Sequence, residues 1–262
     1  MTQEQIVEIA RQQSARELGC ESGDFLKTEP VVVLSGEREG ARCYHELPFS
    51  LELVSYGNNV VASVLPEFRA LTEEFLRRFP PEHCFETPNL HALNEALLPF
   101  GQKLCYMPEY FLPELDFLRA LPCRYELRVL GPTEFQDLYL PQWSNALCEK
   151  RRQLDLLAVG AYDGGELVGL AGCSADCADM WQIGVDVLPE RRQQGIASAI
   201  TSRLALEVLE RGKVPFYCAA WSNLKSVRNA IRSGFRPAWT ELCARPVGFV
   251  DSLNGKGGDA HA

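Results

Sequence analysis

The sequence predicts an α+β protein: a mixed, mostly antiparallel sheet flanked by helices, preceded by a smaller α/β module. Three observations support this. At 262 residues the chain is long for one core and short for three. From Arg124 onward, strand-like and helix-like runs follow one another in a regular order, β-α-α-β-β-β-α-β-α-β, which the earlier part lacks. The charge is also uneven. Residues 1–125 hold 19 acids and 11 bases, a net of −8, and residues 126–262 hold 16 and 15, a net of −1. The organisation expected is a module at 1–120, a domain at 124–246 and a disordered tail at 247–262.

In the first module, Gln3 to Leu18 has a helical pattern and stops at Gly19, a C-cap signal. Val31 to Leu34 (VVVL) is a short strand. The run FSLELVSYGNNVVASVL alternates on both sides of Gly57-Asn58-Asn59, as a hairpin does. Pro66 opens a helix reaching about Arg78, and Pro80-Pro81 ends it. A further helix spans about Asn89 to Leu98, and KLCYMP returns as a strand. The aromatic, proline-punctuated run EYFLPELDFLRALPC reads as the connection between modules.

In the second part RYELRVL is a strand, and GPTEFQDLYLPQWSNALCEKRR carries one or two helices broken before Pro141. Two apolar strands flank Asp163-Gly164-Gly165, a tight-turn signal. DMWQIGVDV is the third of that group. A long helix runs to about Arg211 and is ended by Gly212. VPFYCAAWS is a buried strand, NLKSVRNAIRSG a helix closed by Gly234, and FRPAWTELCAR the last strand. The first module also admits a reading as a degenerate copy of the second.

Composition excludes several classes. No apolar run approaches the roughly 20 residues a membrane span needs. The N-terminus lacks the basic start and apolar core of a signal peptide, which predicts a cytoplasmic location. A formal net charge of −9 argues against a nucleic-acid partner. The ten cysteines are scattered, and the closest pair, Cys173 and Cys177, has no second pair or nearby His. Reduced thiols and no metal are expected. The oligomeric state expected is monomer or homodimer.

The chemistry concentrates in VLPERRQQGIAS, Val187 to Ser198, between a strand and a helix. A helix N-terminus carries unpaired N–H groups and the positive end of the helix dipole. A glycine turn lets the backbone approach an anion there. Gly195 would remove a Cβ at the tightest point, Ala197 keeps the next turn small, and Arg192, Gln193 and Gln194 add side-chain donors. Neither G-x4-G-K-[ST] nor G-x-G-x-x-G is present. What stands is R-x-x-G-x-A, at Arg192, Gly195 and Ala197. With the preceding strand and the element order, it resembles the pyrophosphate loop of the GNAT superfamily of N-acetyltransferases. NLKSVRNAIRSGF is similar to that superfamily's next motif, with Asn223 eleven residues before Gly234 and Phe235 following. The resemblance covers residues 124–245.

It implies acetyl-CoA as co-substrate. Backbone groups of Val185, Asp186 and Val187 would bond the thioester carbonyl and pantetheine amides. Backbone N–H groups of Gln193, Gln194, Gly195, Ile196, Ala197 and Ser198 would cradle the pyrophosphate, with Arg192 assisting. The Asn223 side chain would meet the pantetheine arm, and Lys225 and Arg228 the adenosine phosphate. For the last two, a solvated helix face is an equal alternative.

The usual catalytic pair is missing. The superfamily's Tyr, seven residues after the motif Asn, is Ala230 here, and the Glu five residues before it is Cys218. Amine acetylation needs a proton acceptor, an oxyanion donor and a tolerable leaving group. Candidate replacements are Asp176 and Gln182, anchoring a water that takes the amine proton, and Tyr217 as acid. The alternatives are a turn-capping Asp176, a satisfied sheet Gln182 and a core Tyr217. Cys218 has no His between Arg124 and Asp259 to activate it. Asp176, Asp179 and Trp181, if they face the acceptor, favour a small cationic amine. The function expected is acetyl transfer to a primary amine by direct attack. The competing reading is a catalytically silent CoA-binding sensor.

Overall fold

The computed structural model describes residues 1–255. In chain order the elements are α1 (Gln3–Leu18), β1 (Val31–Leu34), β2 (Leu51–Ser55), β3 (Val61–Val64), α2 (Arg69–Arg78), α3 (Pro81–Cys84), α4 (Thr87–Leu97), β4 (Gln102–Leu104) and β5 (Glu109–Pro113). There follow β6 (Glu126–Leu130), β7 (Asp155–Asp163), β8 (Glu166–Ser174), β9 (Met180–Val187), α5 (Ile196–Glu210), β10 (Val214–Ala219), α6 (Leu224–Arg232), β11 (Phe235–Pro246) and α7 (Val247–Leu253). They form two compact units. Unit 1 is Met1–Ala10 with Tyr110–Ala238, and unit 2 is Arg11–Glu109 with the chain from Trp239 onward. The boundaries fall inside α1, β5 and β11.

Unit 1 holds the site. Its strands β6, β7, β8 and β9 are successive antiparallel neighbours, and β10 joins β9 in parallel. Asp163 pairs with Glu166 across Gly164 and Gly165, whose φ angles of 59° and 99° are the two positive values a two-residue hairpin turn demands. Helix α5 lays Ile200, Leu204, Ala205 and Val208 on one face of the sheet, against Val159, Val168 and Ala171. The other face is covered by residues 131–154, which plug Phe135, Trp143, Ala146 and Leu147 against Ala158 and Leu170.

That covering segment corrects the sequence expectation of α-helix. It contains only short 3-10 turns, at Gln136–Leu138, Pro141–Trp143 and Glu149–Leu154. Prolines at 132 and 141 interrupt any longer helix. The backbone also lies directly on the sheet: a methyl group on Gly172 would overlap the Ala146 carbonyl, and one on Gly184 the Asn145 carbonyl. An α-helix, about 10 Å across with its side chains, cannot bring its backbone that close. The run read as a connection, EYFLPELDFLRALPC, likewise contains strand β5, with Tyr110, Phe111 and Leu112 buried. Of its aromatic residues Tyr110 and Phe111 are core residues, and Phe117 is exposed.

Unit 2 has its own mixed sheet. β1 pairs with β3 in parallel, β3 with β2 antiparallel, and β11 with both β2 and β4 antiparallel. Phe68, Phe75 and Leu76 from α2 and its lead-in, with Leu93 and Leu97 from α4, pack on Leu51, Leu53, Ala62, Val64 and Leu242. A buried ionic cluster lies in the same unit. Arg42 donates to both oxygens of Glu17 (2.7 and 2.5 Å) and to Glu241 Oε1 (2.5 Å), and Glu241 also accepts from Trp239 Nε1 (2.8 Å). Burial pushes the Glu17 carboxyl up, but the Arg42 guanidinium overrides it and holds the group well below the usual carboxylate range. Glu17, His45 and Glu241 are close enough together to ligate a cation, and Arg42 is the cation the chain itself supplies.

Residues 247–262, expected to be a disordered tail, begin with α7. Phe249 meets the Tyr106 ring (centroids 6.3 Å) and Asp251 pairs with Lys103 (2.6 Å). Residues 256–262 lie outside the described residues. All ten cysteines are thiols. Among the described residues no helix is long and apolar enough to cross a membrane.

Candidate functional site

The site begins where two strands part. β9 and β10 pair in parallel at Met180 with Val214, Trp181 with Pro215 and Gln182 with Phe216, and no further. β9 continues to Val187 and β10 to Ala219, and a cleft of about 740 Å³ opens between them. That volume lies in the ordinary range for ligand sites. The backbone parity of β9 follows from one bond: Leu188 N–H donates to Val168 O at 3.1 Å on the β8 side. Alternation along the strand then turns the main-chain N–H and C=O groups of Asp186, Gly184 and Gln182 toward β8, and those of Val187, Val185 and Ile183 toward the cleft. This corrects the set of three expected backbone partners. Val185 and Val187 present main-chain groups to the cleft, and Asp186 does not. The Val187 carbonyl is already taken by Arg192 Nε at 3.1 Å.

The turn after β9 is a single 3-10 turn, Pro189–Arg191, followed by Gln193 at φ 61° and Gly195 at φ 80°. Gly195 is the N-cap of α5 and offers no side-chain cap, and the first intrahelical bond is Ala199 N–H to Gly195 O at 3.1 Å. The N–H groups of Ile196, Ala197 and Ser198 therefore have no helical acceptor, and all three residues line the cleft. Within the chain itself the need for glycine at 195 is conformational. No protein atom lies within 4 Å of a Cβ built there, so as far as the chain is concerned the positive φ calls for glycine.

The side-chain donors divide. Arg191 turns to Asp163 (2.9 Å) and Glu166 (3.6 Å), and Gln194 Oε1 accepts from Tyr125 OH at 2.8 Å. Gln194 does not line the cleft, which corrects its place among the side-chain donors. It anchors the loop instead. Arg192 and Gln193 line the cleft, as does Arg191 despite its ion pairs.

The second wall is α6. Asn223 caps it, its Oδ1 accepting from Ser226 N–H at 3.2 Å. Asn223 lines the cleft together with Lys225, Arg228 and Arg232, which recur at helical spacing on one face. The cleft thus holds five bases (these three with Arg191 and Arg192) against one acid, Asp186. Buried Asn229 ties α6 to α5: its Oδ1 accepts from Ser198 Oγ (3.1 Å) and its Nδ2 donates to Thr201 Oγ1 (3.1 Å).

The Asp186 side chain does separate work. It accepts from Asn145 N–H (2.8 Å), Asn145 Nδ2 (2.7 Å) and Ala146 N–H (3.0 Å), pinning the covering segment across Gly184. Asn145 consequently lines the cleft.

Of the three candidate catalytic residues, two line the cleft. Gln182 Nε2 donates to Cys218 Sγ at 3.2 Å. Tyr217, 4% exposed, shares a hydrogen bond with Ser226 Oγ (2.8 Å). Burial pushes the Tyr217 hydroxyl up, against the opposing effect of Ser226 and Asn229, so it keeps its proton at neutral pH. The third, Asp176, is 3% exposed, forms an ion pair with Arg151 and is not part of the cleft lining. Asp179 pairs with Lys213 (3.4 Å), and Trp181 belongs to the core. The cleft opens only beyond Gln182, whereas Asp176 and Asp179 precede β9 and Trp181 lies in its paired start. The three residues read as a cation-selecting cluster therefore do not line it.

Arg232, Asn145 and Asn229 were not singled out from the sequence. The spacing of Arg232 from Lys225 and Arg228 was legible. The places of Asn145 and Asn229 depend on contacts between distant segments.

The family model of the GNAT acetyltransferases matches residues 106–238. No curated protein matches the chain. Similar solved structures include a GNAT-family acetyltransferase from Colwellia psychrerythraea (13% identity, 93% of this chain and 97% of that one, TM-score 0.48). Another is a GCN5-related N-acetyltransferase from Kribbella flavida (18% identity, 59% and 63%, TM-score 0.46). A third is a GCN5-related N-acetyltransferase-like protein from Streptococcus suis (21% identity, 59% and 67%, TM-score 0.41). The chain therefore spans about two thirds of the length of the last two.

Proposed function

This chain belongs to the GNAT acetyltransferase family, and from that premise we propose that it transfers the acetyl group of acetyl-CoA to a primary amine by direct attack in a ternary complex. One observation carries the reading. In a chain of formal net charge −9, the cleft between β9 and β10 collects a helix N-terminus without a side-chain cap and five bases against one acid. Such a lining suits a ligand with several phosphates.

Acetyl-CoA supplies an activated acyl carbonyl and a thiol leaving group of pKa about 8.5. The residues divide the remaining work. N–H groups of Ile196, Ala197 and Ser198, with Arg192, hold the pyrophosphate. Lys225, Arg228 and Arg232 hold the outer phosphate. Asn223, its Oδ1 committed to the helix cap, meets the pantetheine arm through its remaining amide donors. Main-chain N–H of Val185 polarises the acyl oxygen, the donor role that stabilises an oxyanion.

Proton handling falls to the two candidates in the cleft. Tyr217 holds a proton that a departing thiolate can accept. Gln182 orients a water that takes the proton of the amine. Asp176 plays no part in this scheme. With Asp176 and Asp179 paired to bases of the chain itself, the reading specifies a primary amine without selecting a cationic one.

The test is acetyl-CoA turnover against a panel of amino acids, polyamines and aminoglycosides, read as free thiol. Release dependent on one amine class is expected. Calorimetric CoA binding without turnover on any amine supports the sensor reading, and no CoA binding overturns both.

A further inference from the structure

We infer that Asp186 is a positioning residue that sets the length of acyl chain this cleft accepts, acting through Asn145. The inference rests on the proposed acetyl-CoA reading, in which Val185 meets the thioester carbonyl.

The geometry begins with two glycines. Gly172 on β8 and Gly184 on β9 are partners in the sheet, and each lies directly beneath the covering segment. A Cβ on either would overlap a carbonyl of Asn145 or Ala146. The segment therefore rests on bare backbone, next to the residue assigned to the acyl carbonyl. It is not a helix and has no strand ladder beside Gly184, although Trp143 and Leu147 on either side are anchored in the core. Asp186 supplies the attachment: one carboxylate takes Asn145 N–H, Ala146 N–H and Asn145 Nδ2 at 2.7 to 3.0 Å. These three bonds converge from a segment about 40 positions earlier in the chain. Among the described residues the carboxylate is the one acid lining the cleft, and it is spent on the protein's own N–H groups. A residue kept there to bind a cationic substrate would leave its oxygens free.

The far end of the same compartment is closed as well. Gln182, next along that face of β9, donates to Cys218 on β10 at 3.2 Å, beside the point where the strands meet. An acyl group at Val185 thus has Asn145 over it and the Gln182–Cys218 contact ahead of it. An acetyl methyl needs little room. A butyryl chain must displace one of these two boundaries. Trp143, Ala146 and Leu147 anchor the segment in the core, and at Asn145 itself the hydrogen bonds run to the Asp186 carboxylate.

The experiment measures equilibrium binding, so it needs no acceptor. Free CoA, acetyl-CoA and butyryl-CoA are titrated calorimetrically into the wild-type chain, Asp186→Ala and Asn145→Ala. Wild type should prefer acetyl-CoA over butyryl-CoA by about tenfold or more, the scale of one or two methylenes against a closed pocket. Asp186→Ala should bring that ratio to within about twofold. Asn145→Ala keeps its backbone N–H and loses only the 2.7 Å side-chain bond, so it should fall between. Thermal melts confirm that each variant is folded, and Asn145→Ala carries the test if Asp186→Ala is not. Wild type binding both acyl-CoAs equally, or variants weakening all three ligands in the same proportion, overturns the inference. Wild type failing to bind free CoA overturns the acetyl-CoA reading itself, which separates the two failures.

Discussion

Gly195→Glu tests the loop, and its consequences can be worked out in advance. The residue sits at φ 80° with nothing within 4 Å of a built Cβ. Two effects therefore separate. Placing any L side chain in the left-handed region costs about 1–2 kcal/mol of stability. No steric term is added, so the fold survives. The second effect is electrostatic. A carboxylate at the N-cap of α5 stands beside the N–H groups of Ile196, Ala197 and Ser198. One unit charge 4 Å from another interacts by about 1 kcal/mol in bulk water and about 4 kcal/mol near a protein surface. Repulsion of a bound pyrophosphate by about 2–4 kcal/mol weakens CoA about 30- to 1,000-fold. Gly195→Ala carries the same backbone strain without the charge and isolates the first effect. Melting curves and calorimetric CoA titration of the three chains measure both terms. Gly195→Glu that melts normally and binds CoA within about threefold of wild type would refute the assignment of the loop.

Four further outcomes follow from named contacts. Arg228→Ala with Arg232→Ala should weaken CoA about 3- to 10-fold at low salt and flatten the salt dependence of binding. An unchanged salt response would place the phosphate elsewhere. Tyr217→Phe should lower kcat about 100-fold while leaving CoA affinity in place, and an unchanged kcat would remove Tyr217 as the acid. Arg42→Ala leaves Glu17 and Glu241 buried without their guanidinium and should cost about 3–5 kcal/mol in a urea titration. An unchanged midpoint would contradict that reading of the cluster. Burial pushes Asp155 up to about 6 from 3.8, against the opposing bonds from Cys148 N–H and Tyr139 OH. The folded chain then holds this proton more tightly than the unfolded chain. Its stabilising contribution is complete below about pH 3.8 and is lost as pH rises through about 6. Asp155→Asn stays neutral, so it should melt close to wild type at acid pH and above it at neutral pH. A difference independent of pH would contradict the shift.

Local signals located most elements. Gly19, Gly164, Gly165, Gly212 and Gly234 all adopt positive φ at the ends or turns where the sequence placed them. The turn from Val187 to Ser198 was legible because strand, glycine and helix are contiguous. The covering segment was not. Its apolar spacing resembles a helix, but its conformation is decided by Gly172 and Gly184, 27 and 39 positions after Asn145. The acidic hairpin lies outside this cleft, and that too was not legible. Nothing local to Asp176 or Trp181 reveals that the strands stay paired through Gln182 and separate only afterwards. The division of backbone duty between Val185 and Asp186 likewise depends on a bond at the neighbouring Leu188. Side-chain partners such as Tyr125 for Gln194 come from distant strands and leave no mark in the loop's own residues.

Hydrogen–deuterium exchange with and without CoA tests the site most directly, because it reports where the ligand sits without requiring an acceptor. Protection should concentrate in peptides covering β9 from Val185, the turn through Ser198, and the α6 face carrying Asn223, Arg228 and Arg232. Binding without protection in those peptides, or with protection confined to other segments, would contradict the placement of the coenzyme between β9 and β10.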